Sequence, residues 1–91
     1  MTVREGKRIF TQMKALFNNT CVKCEGSSGL INLDRDHIIP RYQGGKDNPT
    51  NWQPLCPKCN ASKGPETIDW RIIYAKKYGI IIPKEWIESN D

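Results

Sequence analysis

Two matched pairs of cysteines constrain this chain more than any other feature. Cys21-Val22-Lys23-Cys24 and Cys56-Pro57-Lys58-Cys59 are CxxC knuckles separated by 31 residues. A two-residue gap lets both sulfurs of a knuckle face one ion, and four thiolates around Zn²⁺ are the usual closed structural site. A redox dithiol, or cysteines buried for unrelated reasons, would not need two matched knuckles. An ordinary zinc ribbon places about 15–20 residues between its knuckles, so the longer interval leaves room for a functional insertion. Closing such a loop costs about 3 kcal/mol plus a constant, whereas structural zinc returns about 10–16 kcal/mol. Because the set keeps no open coordination position, it reads as a staple and not as a catalyst.

The rest of the chain needs that staple. Its 91 residues allow one domain, 1–91, and the 37% hydrophobic content with a mean hydropathy of -0.64 supports only a modest core. The first residues carry charge but lead into no apolar run of the secretory type. The longest aliphatic stretch, Ile80-Ile81-Ile82, is stopped by Pro83, far short of the ~20 apolar residues that span a bilayer. The expectation is a cytoplasmic protein without a membrane partner, where thiols stay reduced.

Hydrophobic spacing predicts a helix over residues 2–17, opened by a Thr2/Glu5 capping box and carrying Ile9, Phe10, Met13, Leu16 and Phe17 at helical intervals. A Gly/Ser turn over 26–29 precedes a strand expected over 30–40, and 41–50 reads as a loop around Gly44-Gly45 and Asn48-Pro49. An extended piece, 52–55, leads into the second knuckle and a helical turn or two over 57–63. A last helix is expected over 67–78, with Ile68, Ile72 and Ala75 on one face and Trp70, Ile73, Tyr74 and Lys77 on another; Gly79 stops it. Trp86 and Ile87 are expected to pack back on the body.

The formal net charge is +4. Basic side chains displace counterions from phosphates, yet an excess of this size is also what a solvated surface shows. Four thiolates with one Zn²⁺ add -2, which lowers +4 to +2. Charge alone therefore identifies no partner.

Between and beside the knuckles lie Asp36-His37, Asn51 and Asn60, and His37 is the chain's single histidine. Phosphodiester cleavage needs an activated water, neutralisation of the phosphate and help for the leaving oxygen. A neutral imidazole can take the water's proton, worth typically about 10²–10⁴-fold. A divalent cation can act as Lewis acid, and Asp36 with Asn60 offers oxygen ligands suited to Mg²⁺. A histidine by itself is more often packed or surface-exposed than catalytic; its setting is what singles out His37.

That setting is the run Asp34-Arg35-Asp36-His37-Ile38-Ile39-Pro40, then Gly44-Gly45-Lys46-Asp47, then Asn51, then Cys56-Pro57-Lys58-Cys59-Asn60-Ala61-Ser62-Lys63. Over about residues 21–63 it resembles the HNH endonucleases, with 14 positions from His37 to Asn51 and 9 from Asn51 to Asn60. The resemblance implies a small α+β fold: a ββα-metal (His-Me finger) core stapled by the four-cysteine zinc site and flanked by an N-terminal and a C-terminal helix. It implies that His37 is the general base, that Asp36 and Asn60 hold the catalytic Mg²⁺ or Mn²⁺, and that Asn51 pins the loop through backbone hydrogen bonds. It implies DNA as the partner, in a bacterial or phage-infected cell. Lys63, one turn after Asn60, and Arg41 are candidate phosphate contacts, with a solvated lysine the alternative at 63. Asn60 stands where many members have histidine, which turns the metal preference toward oxygen-loving ions. One centre cuts one strand, so a double-strand break requires a homodimer, a larger phage or restriction assembly, or two events. The competing reading is a catalytically silent zinc module that binds nucleic acid or protein; it needs the cysteines but not Asp36, His37 and Asn60.

Overall fold

A computed structural model describes residues 1–26 and 32–88. The turn expected over 26–29 lies beyond Gly26 outside the described residues, as do the first two residues of the strand expected over 30–40. The described elements run α1 (Val3–Leu16), β1 (Asp34–His37), β2 (Trp52–Leu55), α2 (Pro57–Lys63) and α3 (Arg71–Tyr78), with short 3-10 turns between and after them.

Helix α1 begins where its capping box closes. Thr2 Oγ1 accepts from the Glu5 amide at 3.1 Å, and Glu5 returns a carboxylate to the Thr2 amide at 3.2 Å. Phe10, Met13 and Phe17 at its end bury their side chains in the core, with Ile9 and Leu16 packed against them. Asn18 and Asn19 then take left-handed backbone angles, φ 60° and 53°, which stop the helix. Asparagine tolerates that region better than most residues.

Strands β1 and β2 pair antiparallel, with Asp34 opposite Leu55, Arg35 opposite Pro54, Asp36 opposite Gln53 and His37 opposite Trp52. The strand is shorter than the expected 30–40. At its far end the Asn51 side chain takes both the Ile39 amide and the Ile39 carbonyl, and Pro40 has no amide to donate. The chain therefore leaves the sheet for a 3-10 turn, Arg41–Gln43. Pro54 is tolerated inside β2 because its carbonyl points away from β1, toward the Val22 amide at 3.1 Å. Its missing N–H points the same way and removes no bond from the ladder. That contact also docks the first knuckle on the sheet.

Helix α2 follows β2 directly over the residues expected, completing a ββα unit. Helix α3 starts at Arg71 instead of 67. The Gln53 side chain accounts for the delay: it donates to the Ile68 carbonyl at 2.8 Å and accepts from the Trp70 amide at 2.9 Å, holding 68–70 out of the helix. The buried face of α3 is Arg71, Tyr74 and Ala75, whereas Ile72 and Ile73 are 38% and 67% exposed. This corrects the face read from apolar periodicity. Arg71 and Tyr74 are buried because their polar tips find backbone: Arg71 Nη1 donates to the Trp86 carbonyl at 2.7 Å and Tyr74 Oη to the Phe17 carbonyl at 3.1 Å. Trp86 packs against the core as expected, while Ile87 is exposed. No helix among the described residues is long and apolar enough to cross a membrane.

Candidate metal centre and catalytic cleft

The four cysteines converge. Their sulfurs lie within 4.8 Å of one another, and Cys24 Sγ is 3.8 Å from Cys56 Sγ. A tetrahedron with a metal–sulfur length of about 2.3 Å has an edge of about 3.8 Å, whereas a disulfide would need about 2.05 Å. Each knuckle turns a backbone amide toward its own first sulfur, Cys24 to Cys21 at 3.5 Å and Cys59 to Cys56 at 3.4 Å. The set fits a tetrahedral ion of the zinc kind. Without an ion, the thiols oppose one another's ionisation: burial and the neighbouring sulfurs push Cys59 up to about 12. At Cys21 burial also opposes ionisation, but amide donors outweigh it and bring the thiol down to about 7.

The second knuckle is also the start of α2, with Cys56 capping it and Cys59 inside it. One helical residue turns the chain by about 100°, so the residue after the sulfur ligand, Asn60, and Lys63 one turn later face β1 instead of the cysteines. Asp34 and Asp36 share the α2 side of β1, since alternate residues of a strand share a face. Asn60 Nδ2 donates to Asp34 Oδ2 at 3.1 Å. A carboxylate only accepts, so this bond assigns the amide nitrogen to Asp34 and leaves Asn60 Oδ1 as the available oxygen.

Asp36 is buried. Its Oδ2 accepts from Gln53 Nε2 at 2.8 Å, and its Oδ1 lies 3.5 Å from Lys63 Nζ. Lys63 also donates to the His37 carbonyl at 3.2 Å, and its side chain is 1% exposed. This differs from the expectation of a phosphate contact: the ammonium is turned inward, onto the strand.

His37 leaves β1 on the opposite side. Its Nε2 is 2.8 Å from Asp47 Oδ1, which also accepts from Trp52 Nε1 at 3.2 Å. Facing a carboxylate, Nε2 must carry the proton, which leaves Nδ1 as the acceptor of the neutral ring. The hydrogen bond from His37 holds the Asp47 carboxyl below the usual carboxylate range, with help from Trp52 and Arg41 against partial burial. Arg41 is an exposed rim residue, its Nη1 3.9 Å from Asp47 Oδ2. Arg35, on the His37 side of the strand, lies over the Trp52 ring at 4.3 Å.

Asn51 organises the loop between the strands. Its side chain donates to the Ile39 and Lys46 carbonyls, each at 2.9 Å, and accepts from the Ile39 amide at 2.8 Å. Gly45 is required beneath it, because a Cβ there would come 1.8 Å from the Ile39 carbonyl oxygen. Gly44 beside it takes φ 94°, a left-handed value.

Asp36, His37, Asn60, Lys63, Arg41 and Arg35 all line one open cleft of about 460 Å³. The structure thus brings Asp36, His37 and Asn60 to one cavity and leaves Asn51 outside it as a loop anchor. Sequence reasoning missed Asp47 and Gln53 and left Asp34 unassigned. Asp47 had a signal, lying in the glycine loop at a strand-to-loop return toward His37. Gln53 had none, since an uncharged residue of β2 declares no partner.

A family model described as HNH endonuclease matches residues 21–66, just over half of the chain. The matched segment contains the four cysteines, β1, β2, α2 and the cleft residues named above. Comparisons with curated proteins and with solved structures return no match.

Proposed function

Since the chain belongs to the HNH endonuclease family, we propose that it is a metal-dependent DNA endonuclease that hydrolyses phosphodiester bonds within this cleft. The observation that carries the proposal is the convergence of Asp36, His37 and Asn60 on one cavity, with the His37 ring tethered to Asp47.

In this reading His37 is the general base. Asp47 holds Nε2–H, so Nδ1 takes the proton of the attacking water, and the imidazolium that forms is stabilised by the same carboxylate. Asp36 and Asn60 supply a carboxylate and an amide oxygen to a divalent ion, a donor set that suits Mg²⁺ or Mn²⁺. When bound, that ion supplies Lewis-acid stabilisation of the phosphoryl and leaving oxygens. Asp34 aims the Asn60 oxygen, Gln53 fixes Asp36, and Asn51 keeps the loop that carries Asp47. Arg41 at the rim contacts a backbone phosphate. The cysteine quartet holds a structural Zn²⁺ that seats α2 against β1, with no part in the chemistry.

The test is conversion of supercoiled plasmid to nicked circles by zinc-loaded protein in Mg²⁺ or Mn²⁺, stopped by chelation of the added ion. Plasmid binding without any nicking under these conditions would replace the nuclease with the silent zinc module.

A further inference from the structure

Lys63 brings a full charge into the interior of the cleft wall. Its side chain is 1% exposed beside Asp36 at 7%, with Nζ 3.5 Å from Asp36 Oδ1. The His37 carbonyl accepts from it at 3.2 Å, and Gln53 occupies the other Asp36 oxygen at 2.8 Å. Buried charges persist when they are paired, and here each is the other's partner. A lysine so placed has no spare reach toward a phosphate outside. Its charge instead sits beside the carboxylate to which, in the reading above, a divalent ion must come.

The formal charges of the cleft make the consequence definite. Among the residues that line it, Asp36 and Lys63 cancel, Asn60 carries no charge, and Arg35 and Arg41 are both cationic; Asp47, outside the lining, lies 3.9 Å from Arg41. A divalent cation entering this set meets no net negative charge and a like charge close by. A phosphodiester adds one negative charge and an anionic oxygen.

We propose that Lys63 is an internal counter-ion of Asp36 that keeps metal affinity low in the free protein and makes the catalytic cation bind together with nucleic acid. The proposal rests on the nuclease reading. It assigns Lys63 as a positioning residue, acting through Asp36, and makes metal and substrate obligatory partners by charge balance.

The experiment measures Mn²⁺ affinity by electron paramagnetic resonance on zinc-loaded protein in the His37→Ala background, where a short DNA duplex stays intact. The duplex should tighten Mn²⁺ binding by at least about tenfold, and by linkage Mn²⁺ should tighten duplex binding by the same factor. Replacing Lys63 by Met, which keeps the stem and removes the charge, should raise Mn²⁺ affinity without DNA by about tenfold or more and shrink the coupling. Lys63→Gln, with a polar tip for the same acceptors, serves if the Met protein does not fold. Mn²⁺ binding equally well with and without duplex overturns the proposal, as does an affinity unchanged by both Lys63 substitutions. Those results leave the nuclease reading to the plasmid assay. No Mn²⁺ uptake under any condition overturns this proposal and the Asp36–Asn60 metal site together.

Discussion

Asp47 gives His37 a single usable tautomer, and the effect is local enough to test by substitution. Removing the carboxylate in Asp47→Ala should lower the cleavage rate by about 10–100-fold, the usual consequence of losing a partner that orients a functional histidine. The ¹⁵N signals of the ring should at the same time shift from the Nε2–H form toward a mixture. A rate unchanged by Asp47→Ala would remove Asp47 from the mechanism. The sign of the pH dependence follows from the depressed Asp47 carboxyl. A carboxyl lowered on folding contributes stability above its ordinary range and loses it as pH falls through the depressed value. Asp47 therefore stays ionised throughout the ordinary carboxylate range and above it, so activity lost on acidifying at higher pH reports protonation of the base and not of Asp47. A rate that does not fall on acidification would contradict a histidine base. Asn60 makes a second residue-scale prediction. In the proposed site its oxygen, left available by the Asp34 bond, would favour Mg²⁺ and Mn²⁺, whereas an imidazole there would favour Zn²⁺ or Ni²⁺. Asn60→Asp should retain more activity than Asn60→Ala, and Ni²⁺ or excess Zn²⁺ should support less cleavage than Mg²⁺. Faster cleavage with Ni²⁺, or an inert Asn60→Ala change, would take Asn60 out of the ligand set.

At the scale of elements, the unit that counts is β1, β2 and α2 joined through the knuckles. The second knuckle begins α2 and the first is docked on β2 through Val22 and Pro54, so a bound ion would tie the helix carrying Asn60 to the sheet carrying Asp36. Cys56→Ser should abolish zinc binding and the cooperative thermal transition together, because the remaining thiols no longer close the site. A folded Cys56→Ser protein with an unchanged midpoint and no zinc would refute the staple. Because the ligands must shed protons, zinc affinity and the stability it contributes should fall as pH falls. Much of this layer was legible in the sequence: the capping box set the start of α1, the CxxC spacing set the quartet, and Pro57 with Gly64 bounded α2. The start of α3 and the end of β1 were not legible, because each is decided by a side chain distant in sequence, Gln53 and Asn51. A local pattern carries no trace of such bonds. The buried face of α3 was misread for a related reason: Arg71 fills it with a charged side chain that a hydrophobicity pattern counts as surface, and it joins Tyr74 and Ala75, which the pattern had put on different faces.

At the scale of the molecule, the basic composition is a weaker guide than it looks. Lys63 and Arg71 are buried with internal partners, so neither adds to a field that draws in a polyanion. Function here follows from where a few groups meet, and those groups come from segments distant in sequence, as Asp34 and Asn60, 26 residues apart, are. The motif letters Asp36, His37 and Asn60 were readable because the family spacing marks them; their supports, Asp34, Asp47 and Gln53, emerged only with the fold. The most direct test of the whole account compares wild type and His37→Ala on supercoiled plasmid in Mg²⁺, with zinc content, thermal midpoint and DNA affinity matched. The wild-type protein should nick the plasmid, and His37→Ala should lose cleavage by at least about 10²-fold while binding DNA as before. A His37→Ala protein that cuts at the wild-type rate would contradict the account.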